Sequence, residues 1–368
     1  MDPPRSPQEE ILLVQGPFER RWLTKGQGKI GVVDPTRLRR HLEGEATGNL
    51  SEDWSYLLER YPQLALLEAR AWAMLARIRA KGIPFRLARW AEAIAQAGEG
   101  GNWALPWSAH IHPRSLRLHP EWDPLGTVTG RIISRNPNIQ TLPREGGWRR
   151  AVQAPPGQVL VGADWRGAEL VALAGLSGSQ GLMRELRGGG DPHRRWTELL
   201  LGRSPTPVER HRGKGLVFGL IYGMGRKAAL GYLREHFPGL DGDQALERLI
   251  RELEREEFWA WRRRVMLEGT SSPLGRQLRG QTPAERINRP LQAAIAEVLK
   301  TALVRLGERR WIPILLLHDE IVLEVEESRA EAALRDLQET MKQASEEILG
   351  GCGGVKGWIR QSWSTTPD

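Results

Sequence analysis

LLLHDEIVLEV, residues 315–325, is the stretch on which the reading of the fold turns. Two short apolar runs, 315–317 and 321–325, flank His318, Asp319 and Glu320. Runs of this length rich in β-branched residues read as buried strands. The triplet between them reads as the tip of a hairpin. Three ionisable groups at such a tip are costly beside apolar strands unless something compensates their charge.

A second strand candidate ends the same way. Pro155, Pro156 and Gly157 form a turn before QVLVGAD (158–164), which stops on Asp164. Asp164 and Asp319 lie 155 positions apart, so only the fold can bring them together. If they converge, a divalent cation resolves their repulsion, and hard Mg²⁺ favours one or two carboxylates plus substrate phosphates. The other reading of Asp319 is an ordinary turn aspartate, a residue that turns favour.

Between the strands the chain reads as helical. AELVALAGLSG (168–178) is a helix candidate. Thr206 as N-cap, Pro207 and Glu209 predict a capped helix running to about 223. On it Arg210, Lys214, Phe218 and Tyr222 recur every four positions and form a slowly winding ridge, cations first and aromatics after. Such a ridge fits a triphosphate followed by a stacked base. It equally fits a helix with a basic solvent end and an aromatic core end. Gly213, Gly215, Gly219 and Gly223 predict that something bulky packs close to this backbone. A further helix spans 287–307, with Ile287, Leu291, Ile295, Val298 and Leu306 on one stripe and Gly307 at its end. A charged helix (327–349) and a last strand (355–363) follow. Upstream, 56–82 has helical spacing with Gly82 as C-cap, and 97–126 has no clear period. Strands and helices interleave without a βαβ rhythm, which predicts an α+β fold with an antiparallel sheet.

The 368 residues carry a net charge of +8, which suits a polyanionic partner such as nucleic acid, or an Arg-rich soluble surface. Cys352 is the single cysteine, so no intramolecular disulfide forms. No stretch approaches a membrane span, and the N-terminus lacks a signal pattern. The expected location is therefore cytoplasmic, with no membrane partner. Fifteen tryptophans are scattered without a period and suggest no function.

Taken in order, DWRGAEL (164–170), RHRGKGLVFGLIYG (210–223) and HDE (318–320) resemble the three polymerase signatures of family A DNA polymerases, the bacterial DNA polymerase I type. TVTGRIISRNPNIQTLPR (127–144) resembles the family's primer–template segment, DPH (191–193) the start of its fingers, and NRPLQAAIAEVLK (288–300) a helix that follows the duplex minor groove. The resemblance covers roughly 56–368. It implies a right-hand architecture: an antiparallel-sheet palm, helical fingers and a vestigial thumb. The expected divisions are a short extension (1–55), a helix entering the palm (56–83), a reduced thumb (84–126), palm (127–190 and 276–368) and fingers (191–275).

The resemblance also implies roles. Asp164 and Asp319 hold two Mg²⁺ ions, with Mn²⁺ as an alternative, and Glu320 supports them. His193, Arg210 and Lys214 bind the triphosphate, Lys214 also serving catalysis. Phe218 packs on sugar and base, Tyr222 stacks at the template position, and Glu169 excludes a 2′-hydroxyl. Arg131, Asn138, Gln140, Asn288, Gln292 and His318 contact primer and template, the first partner, with dNTPs the second. The implied function is template-directed addition of dNTPs. Departures from the family pattern are Trp165, Arg166 and Gly167 after Asp164, and Thr141 and Val217 in place of Asn. They raise two alternatives: a degenerate nucleic-acid-binding scaffold, or relaxed choice of template or sugar. About forty residues separate KGIPFRL (81–87) from the TGR motif, too few for the usual thumb, and 1–55 is too short for a proofreading domain. Low processivity, no proofreading, and an accessory protein in place of the thumb are therefore expected.

Overall fold

A computed structural model describes residues 35–43, 50–278 and 280–364. The chain runs through helix α1 (Pro62–Lys81), strand β1 (Gln158–Trp165), helices α2 (Ala168–Ser177), α3 (Pro192–Leu201) and α4 (Pro207–Ile221), and the long helix α5 (Pro283–Glu308). Strands β2 (Pro313–Leu317) and β3 (Glu320–Glu326), helix α6 (Ala330–Leu349) and strand β4 (Val355–Arg360) complete it. The expected extension over 1–55 lies mostly outside the described residues.

Two compact units emerge. The first holds the described residues up to 165 with 296–344 and 355–364; the second holds 166–295 and 345–354. The first is built on an antiparallel sheet in the order β4-β1-β3-β2. β2 is buried along its whole length, and β1 and β3 nearly so. That is why their sequences read as continuous apolar runs and not as alternation. Directly paired residues share a face. Asp164 stands opposite Glu320 on β3 and Lys356 on β4, and Trp358 stands opposite Gly162. The other face carries Trp165, whose indole N–H donates to Met341 O on α6 at 2.9 Å.

Glu324 lies inside this sheet region, and its charge is matched. Arg117 grips it with two hydrogen bonds of 2.7 and 2.6 Å. Lys81, at the end of α1, donates to the carbonyls of Ile312 and Glu324, each at 3.1 Å. Burial lowers the Lys81 pKa. The helix expected over 56–82 is in fact two, Leu50–Arg60 and α1, because Pro62 lacks the N–H that would continue the first. Gly82 does end α1, at φ +71°. The span 84–126 holds helix Leu87–Ala97, and its part without a clear period, 97–126, holds a 3-10 stretch Gly98–His110 and short strands. Its core is aromatic. Trp90 lies 5.2 Å from Phe85, 5.2 Å from Trp107 and 5.1 Å from Trp148. Four of the scattered tryptophans, with Trp103 added, are thus accounted for by packing.

The second unit is helical. Its helices include α2, α3, α4, Arg226–His236, Gly242–Arg255 and Glu257–Glu268. All five residues of the predicted α5 stripe are buried. The helix itself starts earlier than expected, at Pro283, and passes through Gly307 to Glu308.

In the first unit Lys300 is fully buried, donating to Glu68 Oε1 at 2.5 Å and to Pro124 O at 3.1 Å. Lys300→Met strands the Glu68 charge in the core and is expected to cost about 3–5 kcal/mol, read from urea unfolding.

Candidate active site

The first unit brings the two aspartates together. Asp164 is the penultimate residue of β1, and its cross-strand partner is Glu320, the first of β3. Asp319 sits in the two-residue turn before it, and its carbonyl accepts from the Trp165 N–H at 3.4 Å. His318 opens that turn in the left-handed region, at φ +54°. Both Glu320 oxygens are occupied: Trp358 Nε1 donates to Oε1 and Trp363 Nε1 to Oε2, each at 3.1 Å. Burial pushes the Glu320 pKa up, against the pull of these two donors. Burial lowers the His318 pKa, and Arg131, Arg144 and Arg149 lower it further. Of those cations only Arg131 was expected at the site. Arg144 closes the quoted 127–144 segment and Arg149 follows it, and the sequence reading gave neither a role.

Among the described residues no three His, Cys, Asp or Glu side chains form a ready metal cage. The donor set still fits hard divalent ions. Two carboxylates, one on β1 and one in the turn before β3, offer oxygen ligands, while Glu320 is already engaged, so substrate oxygens would complete the coordination.

Two expected contacts of this unit have partners inside the protein. Asn138 Oδ1 accepts from Gln140 N and Ser134 Oγ. Gln140 donates to Ile132 O and Leu316 O and accepts from Ser134 N. The two amides therefore tie the 127–144 segment to the end of β2. Trp165, one of the departures from the family pattern after Asp164, points to the opposite face because neighbours on a strand alternate.

In the second unit the ridge forms on α4. Thr206 and Glu209 make the predicted reciprocal capping box. The helix stops at Ile221, and Tyr222 caps it where Arg262 donates to Ile221 O at 2.7 Å. Lys214 lies 5.6 Å above the Phe218 ring, and Phe218 stacks on Tyr222 at 5.7 Å with 14° between planes. Arg210 is held by both oxygens of Asp191, which also caps α3 through Arg194 N at 3.1 Å. The glycines behave as expected: a Cβ at Gly213 would come within 2.0 Å of Thr197 Oγ1 on α3, and one at Gly215 within 2.5 Å of the Tyr232 hydroxyl. The bulk against the helix is protein. Gln292 is buried on α5 and donates to Glu169 Oε1 at 3.1 Å, while Asn288 is half-buried. The two amides are thus not equivalent, contrary to their shared spacing.

His193 is buried against Phe218 at 5.1 Å, and its Nδ1 has no hydrogen-bond partner. Burial, reinforced by Lys214 and Arg210, lowers its pKa from 6.5 to about 3. Between those values the unfolded chain binds a proton that the folded one refuses, so stability falls as pH drops through this window. His193→Gln is expected to lose less stability than the wild type between about pH 7 and about pH 4, measured by denaturant unfolding.

The family profile of DNA polymerase family A matches residues 103–350. DNA polymerase I of Chloroflexus aurantiacus is 33% identical over 268 residues, covering 65% of this chain and 28% of that protein. The thermostable DNA polymerase I of Thermus filiformis is 33% identical over 266 residues, covering 64% of this chain and 31% of its own. The match therefore spans under a third of these relatives' length. The polymerase domain of Pol1 from M. smegmatis, solved with DNA primer-template and dNTP, superposes with a TM-score of 0.74. At 19% identity it covers 89% of this chain and 78% of that one. No helix among the described residues is long and apolar enough to cross a membrane. The α+β polymerase fold, the ordered signatures and the profile match agree that this chain belongs to DNA polymerase family A.

Proposed function

We propose that the chain is a template-directed DNA polymerase that adds dNTPs to a primer 3′ end. The carrying observation is the register that sets Asp164 opposite Glu320, one residue from Asp319, on neighbouring strands. Asp164 and Asp319 would hold two Mg²⁺ ions. Bound there, such a pair makes the primer hydroxyl a nucleophile and takes up charge on the departing pyrophosphate. His318, in its cationic surroundings, orients the primer end, and Arg131 serves the backbone beside it.

The second unit supplies the nucleotide side of this reading. Lys214 and Arg210 neutralise the triphosphate, Arg210 by exchanging its Asp191 partner for phosphate oxygens. His193 stays neutral and packs Phe218, whose ring presents a face to the sugar and base. Tyr222 extends that stack. Glu169, steadied by Gln292, would exclude a 2′-hydroxyl. In this scheme the protein reads shape and backbone while pairing reads sequence.

Synthesis with a weak grip on the duplex belongs to the same proposal. The 84–126 segment holds one α-helix, Leu87–Ala97, and otherwise 3-10 and short-strand elements. An accessory protein would then supply the missing hold on the duplex.

Primer extension with Mg²⁺ is the test. Asp319→Ala is expected to lower the rate about 10³-fold, the loss of roughly 4 kcal/mol of transition-state stabilisation. An equally slow wild type would instead support a degenerate scaffold. Parallel arms with RNA template and with rNTPs read template and sugar choice. With excess trap DNA, products are expected to stay short; long products from one binding event contradict the weak grip.

A further inference from the structure

Both carboxylate oxygens of Glu320, in the HDE triplet, accept hydrogen bonds, and both donors are tryptophans, Trp358 and Trp363. The geometry behind this is unusual. Trp358 sits on β4, and Glu320 sits on β3; β1 runs between them. An indole must therefore reach across a whole strand, about 4.8 Å in spacing each way. It does so over Gly162, its direct cross-strand partner. A Cβ at Gly162 would come within 2.1 Å of the Trp358 ring, so the bare backbone is what lets the ring lie there. Trp363 approaches from beyond β4. Its own N–H is anchored to Val152 O at 2.9 Å, and the Arg149 guanidinium lies 4.1 Å over its ring. Indole N–H groups donate and cannot accept, so each is committed to the carboxylate.

Backbone register sets three acids, Asp164, Asp319 and Glu320, at one end of the sheet, while the proposed chemistry uses two. Left loose, Glu320 could swing towards the cations that Asp164 and Asp319 share, and its strand end could shift the turn. We infer that Trp358 and Trp363 are positioning residues for nucleotide addition: they pin Glu320, and with it the turn bearing Asp319, so that the two aspartates keep one spacing. The inference rests on the polymerase reading above.

The experiment compares the wild type with Trp358→Phe, Trp363→Phe, the double variant and Gly162→Ala. Phenylalanine keeps the ring and removes the donor. Thermal melting checks folding, and the single variants serve if the double one does not fold. Three quantities are read: single-turnover extension rate, primer–template Kd, and Mn²⁺ affinity of the protein alone by electron paramagnetic resonance. The double variant is expected to lose about 10–100-fold in rate and about tenfold in Mn²⁺ affinity, with Kd changed less than about twofold. Gly162→Ala, which displaces the Trp358 ring, is expected to follow Trp358→Phe. Wild-type rate and Mn²⁺ affinity in folded variants would overturn the inference, as would a parallel loss of DNA binding. A wild type that fails to extend any primer sinks the polymerase reading, and the Mn²⁺ comparison still decides the pinning.

Discussion

The register between β1 and β3 is the constraint on which the rest of this structure depends. It sets Asp164 opposite Glu320 and, through the short turn, places Asp319 beside the end of β1. Side chains alternate along a strand, so a slip of one residue would send Asp164 to the α6 face, where Trp165 now lies. Apolar burial specifies that register strongly. Val161, Ala163, Ile321, Leu323 and Val325 are buried on one face, while the acids gather on the other at the strand end. The core thus holds the chemistry in place without contributing to it.

Charge inside and around this core is handled by pairing. Glu324 meets Arg117, Lys300 meets Glu68, and Glu320 meets two neutral indoles. The second unit applies the same economy differently. Asp191 caps α3 and holds Arg210, so the guanidinium is kept in a defined rotamer. The glycines of α4 weaken the helix in isolation, yet they let α3 approach closely enough to bury His193 against Phe218.

Much of this was legible in the residues themselves. The apolar runs around His318 and Asp319, the strand ending in Asp164, the Thr206 capping box and the five-residue stripe of α5 each rest on local periodicity or a local hydrogen bond. Pro62 was a local signal too, and it was read through: the helix divides there because the missing N–H outweighs continuous helical spacing. Asn138, Gln140 and Gln292 show the limit. Their types fit DNA contact, but whether an amide faces a groove or its own loop depends on which carbonyls the fold brings near.

By itself the sequence determined the element types, the order of the polymerase signatures and the acids that end strands, because these follow from near-neighbour spacing and from residue chemistry. Only the tertiary structure decided that Asp164 and Asp319 meet, that Trp165 leaves the site, and that Trp358 crosses Gly162 to reach Glu320. Strand order and register are set by long-range burial, and no local pattern encodes which distant strand a residue will face.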